Sequence, residues 1–204
     1  MHPLQKIGHY LRIALLCTLV AGCATRTAPL NLYDFGPLPY PAISAAHAPL
    51  PALAIATVDA SAALSSQQML YRLDYVNGLQ TRSYASSRWS MAPAQLLEQR
   101  IKARLAQAGT VVLSAREGAR TLPLLRIEVD EMMQNFSSTG QSQAQLALRA
   151  TLFQDRTLLA QKSFHQHIAA SSADAAGGAQ AMASASDTLI GEMMAWLANI
   201  PLQK

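Results

Sequence analysis

Cysteine is almost absent from this chain of 204 residues, which contains only Cys17 and Cys23. Cys17 lies inside an N-terminal apolar run, and removal of that run would leave Cys23 as the single cysteine. A lone cysteine has no partner within its own chain. The sequence therefore predicts no internal disulfide.

Charge and aromatic residues are also scarce. The chain has 16 Lys and Arg residues against 12 Asp and Glu residues, no two Lys or Arg residues are adjacent, and aromatic residues make up 6%. Without Lys6 and Arg12, which belong to the same N-terminal segment, the balance is 14 against 12. A protein that binds nucleic acid needs a basic stripe for the phosphates. The composition therefore argues against a nucleic-acid partner.

No apolar stretch after Cys23 approaches the roughly 20 residues that a membrane-spanning helix needs. The first 22 residues instead have the pattern of a cleaved signal peptide. Lys6 and Arg12 precede an apolar run over 13–21, which falls within the usual core length of roughly 7–15 residues. The run ends in Val20-Ala21-Gly22-Cys23, which resembles the lipobox of bacterial lipoproteins.

The lipobox resemblance implies that Cys23 is the lipid attachment residue, carrying a diacylglyceryl group and, after cleavage, an acyl chain such as palmitate on its amine. An ordinary signal peptide with a chance cysteine is the alternative. Ala24 follows Cys23, whereas an Asp there is the usual inner-membrane retention signal in enteric-type bacteria. We therefore expect an outer-membrane lipoprotein that faces the periplasm, with a polar tether over 23–29 and one domain over 30–204.

Alternating apolar residues and turn signals predict a series of strands. Met69–Val76 and Gln80–Trp89 are expected to form a hairpin about Asn77-Gly78, the strongest short hairpin signal. A proline-rich connector is expected over 37–51. The other predicted strands lie over 30–35, 53–58, 110–114, 122–133, 143–154 and 158–169, and the last three should form an antiparallel meander with a tight turn at Asp155-Arg156.

Two main helices are predicted, at about 93–108 and 174–199. Pro93 in the first turn, a capping candidate at Ser90 and a stop at Gly109 bound the first helix. Its core face is Leu97, Ile101 and Leu105, and its charged residues at 98, 100, 102 and 104 are expected to point mostly outward. The second helix should begin with few core anchors over 175–180 and end with Leu189, Met193 and Trp196 on the core face. We expect an α+β fold, a largely antiparallel sheet with both helices on one face.

Candidate catalytic groups are few. His165 and His167 share a strand face and could reach one metal, but exposed polar residues are the simpler interpretation. Glu128 and Asp130 share a face in the same way, and cross-strand ion pairs explain them better than paired carboxylate catalysis. No Gly-x-Ser-x-Gly elbow occurs. The sequence predicts no catalytic residue, no metal site and no cofactor.

The order of motifs after Cys23 resembles the ABC-type transport auxiliary lipoproteins, the group that includes paraquat-inducible protein C. A Tyr33-Asp34-Phe35-Gly36 strand opens the mature chain, Tyr71-Arg72 lies on a later strand, and Trp89 precedes a helix that starts at Pro93. The resemblance covers nearly all of 30–200. It implies a non-enzymatic domain that docks the MCE-domain component of an ABC transporter and supports movement of lipids or other apolar compounds between membranes.

Aromatic anchors carry much of the energy of protein contacts, so Tyr84, Arg88 and Trp89 are the candidate partner-binding residues. For Trp89, packing in the core beside the helix start is the competing interpretation. Two other functions remain open from the sequence: a non-enzymatic envelope-assembly lipoprotein, such as a cell-wall synthase activator, and a periplasmic hydrolase. The sequence also leaves a homo-oligomer open.

Overall fold

The computed structural model describes residues 29–39, 50–115 and 121–201. The fold is mixed α+β, as predicted, with nine strands in one sheet. The strands are β1 (Asn31–Tyr33), β2 (Leu53–Ile55), β3 (Asp59–Ala60), β4 (Gln68–Leu73), β5 (Thr81–Trp89), β6 (Val112–Ser114), β7 (Leu124–Ser138), β8 (Gln141–Gln154) and β9 (Thr157–Ala169). The predicted signal peptide and most of the predicted tether lie outside the described residues.

Strand β7 is the centre of the sheet. One of its edges pairs antiparallel with β8 over nearly its whole length, and β8 pairs antiparallel with β9, which confirms the predicted meander. The opposite edge takes β2, β3 and β4 one after another, all parallel to β7. The longest ladders are therefore antiparallel, but the sheet also contains short parallel pairings that the sequence did not predict. Alternation within one strand gives its buried face but not the direction of its neighbour.

A bulge lets β7 run further than predicted. Leu125, Ile127 and Val129 face the core, as expected, and the register with β8 then shifts between Val129 and Glu131. After this shift, even-numbered residues such as Met132 face the core. The extra residue reverses the alternation, so the pattern stops looking like one strand although the chain remains extended. The turn to β8 is consequently at Thr139-Gly140.

The predicted hairpin is right in its pairing and wrong in its connection. Strands β4 and β5 are antiparallel neighbours, but the residues expected to extend the first strand form a one-turn helix, α1 (Asp74–Asn77). Asn77 accepts a hydrogen bond from the Leu79 N–H at its side-chain oxygen (2.9 Å) and another from the Gln80 N–H at its carbonyl (3.2 Å). These bonds replace the two-residue turn that Asn-Gly usually makes.

The first main helix is α2 (Pro93–Gln107) and the second is α3 (Ala175–Ala198). Pro93 begins α2 as predicted, but the residue before the helix is Ala92, with no side-chain cap, so Ser90 is not the cap. Leu97, Ile101 and Leu105 are fully buried, which confirms the predicted core face. Asp174 caps α3 by accepting a hydrogen bond from the Gly177 N–H (2.8 Å).

The start of α3 is packed more tightly than predicted. Ala175, Gly177, Gly178 and Ala179 are buried, although they have little apolar surface. A Cβ atom at Gly178 would overlap the side-chain amide of Gln134 on β7, and one at Gly177 would overlap the backbone of Ser172. Small residues at this point allow the helix to approach the sheet closely. The helix is therefore anchored at both ends.

A buried ion pair joins the two helices. Arg100 of α2 is only 6% exposed and its guanidinium makes two bonds of 2.7 Å to the Asp187 carboxylate of α3. Arg104 contacts the same carboxylate at 2.7 Å. The prediction that Arg100 points outward was wrong, because position 100 lies between Leu97 and Ile101 on the buried stripe of the helix.

Candidate functional site

The predicted lipid site, Cys23, lies outside the described residues, and so does the segment that joins it to Pro29. The first strand begins eight residues after Cys23, at Asn31. Strand β1 runs parallel to β5, with Asn31 beside Ser87 and Tyr33 beside Trp89. The chain therefore enters the sheet from the side on which β5 begins.

Tyr84 lies on β5 with its ring half-buried against Tyr71 of β4, at a centroid distance of 4.8 Å. Its hydroxyl donates a hydrogen bond of 2.8 Å to the side-chain oxygen of Gln134. Burial, and next the nearby Asp174 carboxylate, raise the pKa of Tyr84 far above its ordinary value. The Tyr84 hydroxyl therefore stays protonated and serves as a structural donor, while part of the ring remains accessible.

Gln134 is the hub of the surrounding hydrogen bonds. It is 4% exposed, accepts the bond from Tyr84, and donates from its side-chain nitrogen to the Ser142 hydroxyl (2.8 Å) and to the Asp174 carbonyl (3.1 Å). It thus connects β5, β7, β8 and the start of α3. The sequence analysis missed this residue, because a glutamine in a strand carries no signal of burial; the shift of register after the bulge is what turns it inward.

Arg88 is partly exposed and lies near the end of β5. Its guanidinium donates to the Ser87 carbonyl (2.8 Å) and to the Tyr84 carbonyl. Within the part of the chain that the structure describes, no carboxylate lies within ion-pair distance of Arg88. Its positive charge is consequently available to an acidic group from outside.

Trp89, the third candidate, is in the core. It is 4% exposed and packs edge-on against Phe35, with the ring centroids 5.8 Å apart. Trp89 therefore occupies the core beside the start of α2, which is the competing interpretation from the sequence. Tyr84 and Arg88 are therefore both partly exposed on β5, whereas Trp89 is buried and lines a small cavity together with Tyr84.

The acidic cluster on β7 is part of an exposed set of ion pairs. Arg149 of β8 contacts Glu128 at 2.8 Å and Asp130 at 3.5 Å, and all three side chains are substantially exposed. This confirms the interpretation as cross-strand pairs. His165 and His167 are both exposed on β9. Across the described ranges, no three His, Cys, Asp or Glu residues are close enough to hold one metal ion.

A groove of about 550 Å³ lies at the end of the sheet where β7 begins and β8 ends. The guanidinium of Arg126 lies 5.6 Å from the centre of the Phe153 ring in its wall. Asp155 and Arg156, both with positive φ, form the β8–β9 turn beside it, which confirms the predicted tight turn.

A second feature that sequence reasoning missed is an exposed apolar tip, formed by Tyr75 and Val76 of α1 with Leu79 of the following turn. Leu79 is 96% exposed, the highest value among the large apolar side chains that the structure describes. The tip has no signature in the residue pattern, because the alternation through Val76 fits a strand equally well. Of the helices in the described ranges, none has the length and apolar character to cross a membrane.

Comparisons with known proteins agree with this picture. The fold matches the crystal structure of protein XCC0632 from Xanthomonas campestris, described as a member of family DUF330, with a TM-score of 0.70 at 20% identity over 81% of this chain and 93% of that one. It also matches the crystal structure of an uncharacterized protein, with a TM-score of 0.65 at 14% identity over 83% of this chain and 99% of that one. No curated protein matches the sequence. The model of the ABC-type transport auxiliary lipoprotein component matches residues 33–194, and the chain therefore belongs to this family of envelope-associated lipoproteins.

Proposed function

We propose that this protein is an outer-membrane lipoprotein that assists an MCE-type ABC transport system by docking the transporter's periplasmic component, without doing chemistry itself. The observation that carries the proposal is the family match over residues 33–194. In such a system the MCE-domain protein handles the lipid or other apolar compound. The auxiliary domain holds the partner close to the membrane in which its own N-terminal lipid is inserted.

Anchoring rests on the lipobox that ends at Cys23. Each buried methylene of an acyl chain contributes about 0.8 kcal/mol, so a residue carrying several chains stays in the membrane almost permanently. Ala24 in place of Asp favours transfer to the outer membrane. The other Cys, Cys17, leaves with the signal peptide, so Cys23 is the single thiol available for lipidation.

We expect the partner protein to dock on β5. Strand β1 covers β5 only over 87–89, so among the described strands the edge over 81–86 has no strand partner. An open edge can accept a strand from another protein, with backbone hydrogen bonds supplying affinity. Tyr84 adds an aromatic surface and Arg88 an uncompensated charge beside this edge. The partner we expect therefore presents an extended segment with an acidic side chain.

Co-purification tests the proposal. The full-length lipoprotein, extracted from membranes in mild detergent, should capture an MCE-domain protein. Replacement Arg88→Gln should weaken the capture several-fold, because the charge is lost while a donor for the backbone carbonyls remains. The matched control is Arg156→Gln, an exposed arginine in the β8–β9 turn at the other end of the sheet.

The result can contradict the proposal in two distinguishable ways. Equal capture by both variants would place the interface away from β5. Failure of the unmutated protein to capture any MCE-domain protein would refute the transport role and favour an envelope-assembly lipoprotein. The variant Tyr84→Phe separates packing from recognition. It keeps the ring and removes only the hydroxyl, which donates a hydrogen bond to Gln134.

A further inference from the structure

The two ends of the long meander differ in charge. From Met132 through the β7–β8 turn to Leu148, seventeen residues carry no ionisable side chain. The other end contains the ion pairs of Arg149 with Glu128 and Asp130. Removal of water from charged groups is costly even when they are paired, because their mutual attraction often repays only part of the penalty. The uncharged end is therefore the one that can be brought against another surface at low cost.

The apolar tip lies at this uncharged end. Leu73, the last residue of β4, is the neighbour of Phe136 near the end of β7, and α1 follows it directly. The hydrogen bonds that Asn77 accepts from the Leu79 and Gln80 N–H groups fix the turn that presents Leu79 to the outside. Asp74 and Arg82 flank the tip, and no ionisable residue lies between them except Tyr75. The tip is thus a built projection, with apolar side chains and one tyrosine.

The N-terminal end of β1 points to the same side. Strand β1 enters the sheet from the direction of the tip, and Asn31 is level with Ser87. The six residue steps from Ser87 back to Thr81 span about 20 Å at roughly 3.3 Å per residue. The eight residue steps from Cys23 to Asn31 reach about 26–29 Å when extended, and about 16 Å when relaxed. A lipid at Cys23 therefore holds the start of β5, and the tip beside it, within a short distance of the bilayer.

We propose that the apolar tip of Tyr75, Val76 and Leu79 contacts the surface of the same membrane that holds the lipid of Cys23. Leucine and valine enter the boundary between headgroups and acyl chains, and tyrosine is suited to the headgroup level. Arg82 beside the tip faces the anionic groups of the lipids. This contact fixes the orientation of the domain, with its charged end directed into the periplasm. The inference rests on the proposed anchoring at Cys23.

A fluorescent label tests the contact in the lipidated full-length protein reconstituted into vesicles of phosphatidylethanolamine and phosphatidylglycerol. Replacement Leu79→Cys adds one free thiol for an environment-sensitive dye, because Cys23 carries the lipid. The matched control is Leu158→Cys, a residue that is also exposed (55%) but lies at the charged end, at the start of β9. We expect the emission at position 79 to shift to shorter wavelength and to be quenched by brominated lipid, and the emission at position 158 to remain that of a dye in water.

Each other outcome is decisive. Equal emission and no lipid quenching at both positions would overturn the membrane contact. Shielding of position 79 only after addition of an MCE-domain protein would overturn it as well and would make the tip a protein interface. Failure of the protein to remain with the vesicles would refute the anchor and the contact together. Lipid quenching at position 79 with no capture of an MCE-domain protein would uphold the contact and refute the proposed transport role.

Discussion

The two ends of β7 are stabilised in different ways. At its beginning, Glu128 and Asp130 form exposed ion pairs with Arg149. Toward its end, Gln134 makes buried hydrogen bonds with uncharged partners, Tyr84 and Ser142. Exposed ion pairs contribute little to stability and tolerate change, whereas buried hydrogen bonds leave costly orphans when one partner is removed. The same strand thus has an end adapted to water and an end at which the buried amide of Gln134 is satisfied internally.

Burial, and not formal charge, should set the energetic cost of a change. The variant Asp187→Asn tests this at the largest scale, because it leaves the buried Arg100 without its full counter-charge. We expect a loss of about 3 kcal/mol in the free energy of unfolding, the lower end of the range for breaking a buried pair. Urea unfolding measures it. A loss below that of an exposed-pair variant would show that the two helices are not joined by this contact.

The same carboxylate predicts a pH dependence. Burial alone would raise the pKa of Asp187, but hydrogen bonds from Arg100 and Arg104, together with their charges, outweigh burial and hold the pKa below its ordinary value. A pKa that is lower in the folded state contributes stability above the unfolded value of about 3.9, and this stability is lost as the pH falls through the folded value.

We therefore expect the free energy of unfolding to decline below about pH 4, and Asp187→Asn to flatten that decline. Unfolding followed at a series of pH values provides the measurement. Asp174, whose pKa is lowered chiefly by the hydrogen bond from the Gly177 N–H, titrates in the same window and accounts for the slope that persists in the variant. An identical slope in both proteins would assign the acid sensitivity to other groups.

The uncharged end should respond next most strongly. Replacement Gln134→Ala leaves the Tyr84 hydroxyl and the Asp174 carbonyl without their partner, so we expect a loss of about 2 kcal/mol, within the range for unsatisfied buried groups. Thermal unfolding at two salt concentrations should show the same loss in each. The matched control is Gln166→Ala, since the side chain of Gln166 donates its hydrogen bond to the exposed Glu192 (2.6 Å), and surface changes usually stay within about 0.5 kcal/mol. Similar losses in both variants would remove the distinction between the ends.

The charged end should give the smallest effect. Replacement Arg149→Gln breaks both exposed ion pairs, and we expect a loss of at most about 1 kcal/mol. This loss should shrink further as added salt screens the charges. Unfolding measured at low and at high salt checks it, and a salt-independent loss above that of Gln134→Ala would reverse the comparison.

The sequence predicts the secondary structure and the buried faces correctly where the buried residues recur with one helical or strand period. The core face of α2 and the strands of the meander are readable because Leu97, Ile101 and the alternating residues of β8 keep one period throughout. The prediction fails where the chain departs from a period, at the bulge after Val129 and at α1. It also fails for Arg100. A helical pattern places this residue on the buried stripe but does not reveal its partner, Asp187, which compensates the buried charge.

The candidate site is predictable to a smaller degree. Tyr84 and Arg88 can be picked out because aromatic and arginine residues are common at interfaces, and Trp89 matches the same criterion although it is buried. Only the register between β5 and its neighbours separates the three. The apolar tip could not be found at all, since alternation through Val76 looks the same in a strand and in a projecting turn.

Amide hydrogen exchange on the lipidated protein tests most directly the claim that the two ends face different surroundings. Exchange is measured for the protein held on vesicles. The reference is the same protein in lipid-free micelles of a short-chain glycoside detergent. The account predicts slower exchange on vesicles for residues 75–81 and 138–141, and unchanged exchange for residues 155–158. Slower exchange at 155–158, or equal change at both ends, would contradict it.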